Sequence, residues 1–344
     1  MAVLGYGKGG EVFHAPVIEA TPGLRLAAVV TGNPDRQTAV RRRYPDTAVL
    51  GSVEELWKRA GEVEIAVITT PNDTHVPLAR AALRAGLAVV VDKPFALTSA
   101  DARDLAEEAD RLGQILTVYQ NRRWDSDFLT LWKLIDEGTL GRVHRFAARF
   151  ERWRPSAKDT WRERGRADEG AGILYDLGPH LIDQAVNLFG PVAAVYAELD
   201  ALRQGVAADD DAFLALTHAS GVRSHLWMSA LAAQHGPRFR VLGDRAAFTI
   251  DGLDGQEARL GRGERPDAPD WGVEPESAWG RLGTDGDARR VPSERGDYPA
   301  FYAALRDAVG EAEPVPVELH EVVHGLEVIE AARRSAATGG TVAL

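Results

Sequence analysis

The stretch AVLGYGKGGEVFHAP, Ala2 to Pro16, decides the fold. A short apolar run leads into Gly5-Tyr6-Gly7-Lys8-Gly9-Gly10, and a segment with helical spacing follows. A G-x-G-x-x-G turn between a strand and a helix has the spacing that cradles a dinucleotide pyrophosphate. Gly5 permits the tight turn, Gly7 lets backbone approach the phosphates, and Gly10 lets helix and strand pack closely. The free N–H groups of the helix start then face the anion. A glycine-rich turn without a ligand is the competing interpretation, and the surrounding pattern weighs against it.

Outward from that turn, apolar runs alternate with helical stretches. LRLAAVV (Leu24–Val30), AVL (Ala48–Leu50), EIAVITTP, LAVVVDKP and QILTVYQNRRW are strand candidates. DRQTAVRRRY, SVEELWKRA, THVPLARAALRAG and TSADARDLAEEADRLG lie between them as helices. Ser52 with an acid three residues on fits a capping box, and Gly86 and Gly113 fit helix ends. Continuous apolar strands separated by helices indicate a parallel sheet covered on both faces. The expectation is a doubly wound α/β domain over residues 1–122, with its ligand beyond the carboxyl ends of the strands.

Two strand tips carry chemistry. VVVDKPFAL (Val89–Leu97) delivers Asp92 and Lys93 at the end of a buried strand. The second strand ends in Thr31-Gly32-Asn33, with Arg36 following. An acid at that tip would bind a ribose 2′-hydroxyl and repel a 2′-phosphate. None is present there, and Arg36 can grip a phosphate as a fork. NADP(H) is therefore favoured over NAD(H).

The chain has 344 residues, 45% of them hydrophobic, enough for two domains. Its net charge of −11, from 51 acids against 40 Lys plus Arg, disfavours nucleic acid as a general partner. It has no cysteine, which excludes disulfides and thiolate metal sites. With no apolar stretch of membrane length and no signal-type start, a soluble cytoplasmic protein is expected.

The second half reads differently. After the helix DFLTLWKLIDEG, the strand VHRFAARFERW is followed by candidates at 194–202, 211–218, 223–229, 238–243 and 246–251. Strands without intervening helices suggest an antiparallel sheet. Residues 123–344 are thus expected to form an α+β domain with a large open, mostly antiparallel sheet. Residues 254–297, rich in Gly, Pro, Asp and Arg, look like a long excursion. The closing helix VELHEVVHGLEVIEAARRSAATG is expected to pack back on the first domain. In DEGAGILYDLGPHLIDQAVNLFG, Asp168 to Gly190, Asp176 and His180 stand one helical turn apart. A carboxylate beside an imidazole can orient it for acid–base work near neutral pH.

Together, GYGKGG, TTPNDTH, VDKPF and GAGILYDLGPHLID resemble the motifs of the Gfo/Idh/MocA oxidoreductases, in order and over essentially the whole chain. VFHAP, QNRRWDSDF and FERWRP resemble the NADP-dependent inositol dehydrogenase branch. The resemblance implies a Rossmann domain, a nicotinamide cofactor and a catalytic set of Lys93, Asp176 and His180. It implies cofactor contacts from Gly5, Tyr6, Gly7, Lys8, Gly9 and Gly10, and from Thr31, Asn33 and Arg36. Thr70, Pro71, Asn72 and His75 complete these with Asp92, Lys93 and Asn121. Asp92 replaces the family's usual Glu before the Lys-Pro pair, and Ala171 interrupts its glycine-rich lead-in.

Arg123, Trp124, Asp125, Trp153 and Arg154 are expected substrate contacts, suited to a sugar or polyol. Covering the open sheet by self-association predicts a homodimer or homotetramer. An NAD-dependent glycosidase of this fold and a non-catalytic cofactor sensor are the alternatives. HEVVH, His320 to His324, matches a zinc signature but has no evident third ligand, so no metal is expected.

Overall fold

The structure, a computed structural model, describes residues 1–157 and 165–344. Strands β1 (Ala2–Leu4), β2 (Ala28–Val30), β3 (Ala48–Leu50), β4 (Ile65–Ile68), β5 (Ala88–Val91) and β6 (Leu116–Val118) form a parallel sheet ordered β3-β2-β1-β4-β5-β6. The strands are short, made of alanine and branched residues, and buried throughout except in edge strand β3, where Ala48 and Val49 are half-buried. Helices α1 (Ala15–Ala20), α2 (Pro34–Arg43), α3 (Val53–Trp57), α4 (His75–Arg84) and α5 (Ser99–Leu112) make the crossovers. Strand order reverses between β1 and β4, which opens a crevice at their carboxyl ends. LRLAAVV contributes only Ala28–Val30 to the ladder. The capping box expected at Ser52 forms differently: the Ser52 side chain makes no cap bond, and Glu55 accepts from the Gly51 N–H instead.

The glycine turn does not open directly into an α-helix. Residues Gly9–His14 form a π-helical turn, with Ala15 N–H donating to the Gly10 carbonyl, before α1 begins. Such wide turns recur at functional sites. Gly5 adopts φ +97°, and a Cβ on Gly10 would lie 2.2 Å from the Gly5 carbonyl oxygen. Both positions therefore need glycine.

The remainder continues with α6 (Ser126–Asp136), β7 (Val143–Glu151), α7 (Ile173–Phe189), β8 (Val192–Asp200), β9 (Asp211–His218), β10 (Arg223–Ser229), β11 (Phe239–Gly243) and β12 (Ala247–Ile250). Then come α8 (Gln256–Gly261), β13 (Gly280–Gly283), β14 (Arg289–Val291), α9 (Tyr298–Glu311), α10 (Leu319–Thr338) and β15 (Val342–Ala343). These strands form a sheet ordered β14-β13-β12-β11-β7-β10-β9-β8-β15. Every pairing is antiparallel except β7 with β10. Helices α7 and α10 pack on one face. On the other face Phe213, His225 and Trp227 stay half-buried and stack on one another.

The 254–297 excursion is more ordered than its composition suggests. It carries α8, β13 and β14, and buries Trp271, whose Nε1 donates to Gln256 Oε1 at 2.9 Å. Helix α10 reaches the first sheet's helices: Glu330 accepts from Ser99 N and Oγ, and Arg103 pairs with Glu327. Among the described residues, no helix is long and apolar enough to cross a membrane.

Candidate active site

A cavity of about 400 Å³ opens where the carboxyl edge of the parallel sheet meets α7 and the segment after β7. Its walls include Lys8 and Gly9 of the glycine turn, Asp92 and Lys93 beyond β5, and Asp176 and His180 of α7. The three expected catalytic side chains therefore meet in one space.

Lys93 is carried there by a strand buried along its whole length. The Lys93–Pro94 peptide is cis. Lys93 Nζ donates to the Asp176 carbonyl at 2.6 Å and to its Oδ1 at 3.2 Å. Asp92 Oδ1 accepts from Lys93 N, and Oδ2 lies 3.8 Å from His14 Nε2. Burial acts to raise Asp92, but His14, Lys93 and His75 outweigh it and hold the carboxyl below its ordinary range. His14 is itself fixed by Tyr302, 2.5 Å from its Nδ1, and by the Tyr119 ring at 4.3 Å.

Helix α7 is aimed by its start. Asp209, from the β8–β9 loop, accepts from Ile173 N through its carbonyl and from Leu174 N through its carboxylate. Gly172 adopts φ +98°, and a Cβ there would sit 2.6 Å from Asp209 Oδ1. Ala171 has no left-handed φ, so the alanine in the lead-in costs no strain. No hydrogen bond joins Asp176 to His180. The carboxylate turns to Lys93 and lies 3.7 Å from Arg152 Nη1. His180 is 6% exposed, packs on the Phe150 ring and has no hydrogen-bond partner at Nδ1 among the described residues. Burial first, then the cations of Lys93, Arg122, Arg238 and Arg152, push its pKa well below the ordinary value of 6.5. It is thus neutral at physiological pH, the state a base needs.

The expected cofactor positions surround the crevice. Tyr6 is buried, while Lys8 reaches out to Glu257 Oε1 at 2.8 Å. A Cβ on Gly7 would meet nothing closer than Arg36 Nη1 at 4.0 Å, so the turn is open on that side and a guanidinium borders it. Asn33 Oδ1 caps α2 by accepting from Asp35 N and Arg36 N, and Thr31 Oγ1 accepts weakly from Asn33 N. Thr70 Oγ1 accepts from Thr74, Pro71 is exposed, and buried Asn72 donates to the Gly170 carbonyl. Both ring nitrogens of His75 face carbonyls, those of Pro94 and Thr70, so this side chain braces the two strand-end turns. Asn121 lines the cavity. An open glycine turn, a bordering guanidinium and this strand order fit a dinucleotide.

The expected substrate contacts divide. Arg154 lines the cavity; Arg123, Trp124, Asp125 and Trp153 do not. Arg123 is turned to Asp183 and Glu321, both at 2.7 Å, and Trp124 packs edge-on to Phe301. Asp125 is fully buried between Arg122 and Tyr298. Trp153 is 54% exposed. Unanticipated wall residues are Arg122, Phe150, Arg152, Arg203 and Glu257. Residues 121–124 form a 3₁₀ turn, where successive side chains point about 120° apart, so Arg122 faces in when Arg123 faces out. From the end of β7 the chain stays extended, with the Arg152 and Arg154 N–H groups donating to the Ser229 and Ala230 carbonyls, so alternation puts Phe150, Arg152 and Arg154 on one side and Trp153 on the other. That alternation was readable in FERWRP; nothing in the sequence pointed to Glu257. His320 and His324 lie on α10, where His324 Nε2 accepts from Val192 N and Nδ1 faces Glu327.

Comparison with known proteins matches both halves of the chain to one family. Residues 1–120 match the oxidoreductase family NAD-binding Rossmann fold, and residues 132–344 match the same family's C-terminal alpha/beta domain. The chain is 41% identical to the uncharacterized oxidoreductase YdgJ of Escherichia coli (strain K12), covering all of this chain and 98% of that one. It is 33% identical to scyllo-inositol 2-dehydrogenase (NADP(+)) IolW of Bacillus subtilis (strain 168), covering 100% and 95%. The YPO2259 putative oxidoreductase structure from Yersinia pestis superposes with a TM-score of 0.91 at 40% identity, covering 100% and 96%. With both halves matched, the chain belongs to the Gfo/Idh/MocA family of oxidoreductases.

Proposed function

We propose that this oxidoreductase transfers hydride between NADP(H) and a secondary alcohol or ketone of a sugar or inositol-type polyol. The observation that carries the proposal is the meeting of Lys93, Asp176 and His180 beside the glycine turn. The nicotinamide, when bound, supplies the hydride acceptor and donor. In oxidation, neutral His180 takes the hydroxyl proton while the carbon loses hydride and becomes a carbonyl. Lys93 stabilises the negative charge that develops on that oxygen. Asp176 holds the Lys93 ammonium in place and offers the substrate a hydrogen-bond acceptor.

NADP(H) preference is supported by Arg36 beside Gly7 and by the absence of an acid at the β2 tip. The NADP-linked name of the Bacillus relative agrees. A second copy of the chain on the open sheet face around Phe213, His225 and Trp227 would give a dimer or tetramer.

The test is the near-ultraviolet absorbance of reduced nicotinamide, with NADP and NAD side by side against inositols, aldoses and their keto forms. Reduction of NADP by a neutral or substituted polyol is the expected result. Tight cofactor binding with silence across the panel would instead favour the redox-neutral glycosidase or the sensor.

A further inference from the structure

Among the described residues, the cations lining the cavity are not all taken up by close ion pairs. Lys8 and Arg122 share Glu257, at 2.8 and 2.6 Å, and Arg122 also meets Asp125. Arg203 pairs with Asp210 at 2.9 Å. Asp209 is taken up by the start of α7. Lys93 lies against Asp176. Asp92 faces His14 Nε2 at 3.8 Å. That leaves, among the cations, Arg152 and Arg154. Among the described residues Arg152 reaches a carboxylate only at 3.7 Å, on the Asp176 oxygen that Lys93 does not use, and it stacks over the Phe150 ring at 4.8 Å. The Arg154 guanidinium has no carboxylate within 4 Å among the described residues, although its backbone carbonyl accepts from Arg203.

Two groups lie among these cations, Arg152 half-buried and His180 buried. Arg152 is held below the ordinary arginine value by burial first, with Arg154 and Arg122 adding to the effect and Asp176 and Glu257 opposing it. His180 is depressed by burial and four cations, and its Nδ1 is buried at this wall without a partner. A neutral polyol would satisfy hydrogen bonds here but bring no carboxylate or phosphate oxygen to these two guanidiniums. Arginine forks match carboxylate and phosphate oxygens two at a time.

We propose that the substrate is a sugar or polyol carrying an anionic group, a carboxylate or a phosphate, gripped by Arg152 and Arg154 beside the Lys93–Asp176 pair. The assignment rests on the dehydrogenase reading for the remainder of the substrate. It makes the segment after β7 the specificity wall of the site.

The experiment uses the full chain saturated with NADP⁺. Glucose, glucuronate and glucose 6-phosphate are titrated calorimetrically, and cofactor reduction is followed in parallel. At least one anionic probe is expected to bind about tenfold or more tighter than glucose, a gap typical of a charge-assisted pair. The probe that gains shows whether carboxylate or phosphate is preferred. Arg152→Gln and Arg154→Gln should each shrink the gap, and Arg152→Lys should restore part of it. If Arg152→Gln does not fold, Arg154→Gln alone still decides, because that side chain is exposed. Equal or tighter binding of glucose, no binding of either anion, or a gap that survives both Gln substitutions overturns the subsite. The parallel readout separates the two claims. Anion binding with no reduction by any substrate keeps the subsite and sinks the dehydrogenase. Reduction by neutral polyols without anion preference does the reverse.

Discussion

The two walls of the cavity place their charges by different means. On one side, Asp92 and Lys93 project from the end of a strand locked inside a parallel sheet, and the glycine turn sits at the next strand end but one. On the other, Arg152 and Arg154 extend from the stretch just beyond β7, and Glu257 arrives from a short helix more than a hundred residues later. The first wall is fixed by topology, since a parallel doubly wound sheet can present groups only at its carboxyl edge. The second depends on alternation, loop course and long-range pairing, and can vary while the fold persists. The first wall therefore suits chemistry common to a family, and the second suits choice of substrate.

Substitution at the two walls should separate these roles. Lys93→Ala is expected to lower turnover by about a hundred- to ten-thousand-fold with NADP affinity little changed, as for loss of a charge-stabilising group. Retained turnover would remove the lysine from the chemistry and break the comparison. The pH profile gives a companion test. Because His180 titrates well below 6.5, the base is still neutral when an ordinary histidine has begun to protonate. The oxidation rate should thus hold as pH falls through 6.5 and drop only in more acid solution. A decline centred at 6.5 would contradict the buried, cation-flanked setting.

The Gly172→Ala substitution strikes the support of α7 instead. Its left-handed φ and the 2.6 Å approach to Asp209 should destabilise the protein by about 1–3 kcal/mol, read by urea unfolding. Arg36→Ala should cost about tenfold in NADP affinity and much less in NAD affinity, measured by fluorescence titration. Equal losses would sink the 2′-phosphate assignment. The smallest effect is expected at Trp153→Ala, which should leave kcat/KM within about twofold, as surface changes usually do. A large effect there would mean that the rim beyond the cavity also contacts substrate.

Legibility in the sequence follows the same division. The strands of the parallel sheet, the glycine turn and the tip carrying Lys93 could be placed because each shows as a pattern within a dozen residues, even though β1 pairs with β4 across more than sixty. The antiparallel strands were also visible through their alternation, β9 and β10 to the residue. Arg123 was chosen where Arg122 faces in, because a 3₁₀ turn cannot be told from a strand end by composition. Asp176 was expected to orient the substrate or the His180 imidazole; its contact with Lys93 spans an 83-residue separation that local spacing cannot report. Glu257 lies in a Gly- and Asp-rich stretch that carries no periodic signal, and its partners Lys8 and Arg122 are distant in the chain.

That glutamate has a further consequence. Glu257 is held down to about 2, burial being outweighed by Arg122 and Lys8, so it stays anionic through any physiological acidity. One permanent negative charge thus fastens the dinucleotide turn to the 254–297 excursion. An arriving phosphate that recruits Lys8 must loosen this clasp, leaving Glu257 to Arg122 alone. Grafting a different excursion onto this scaffold would therefore retune cofactor affinity, even though no residue of the turn had been altered.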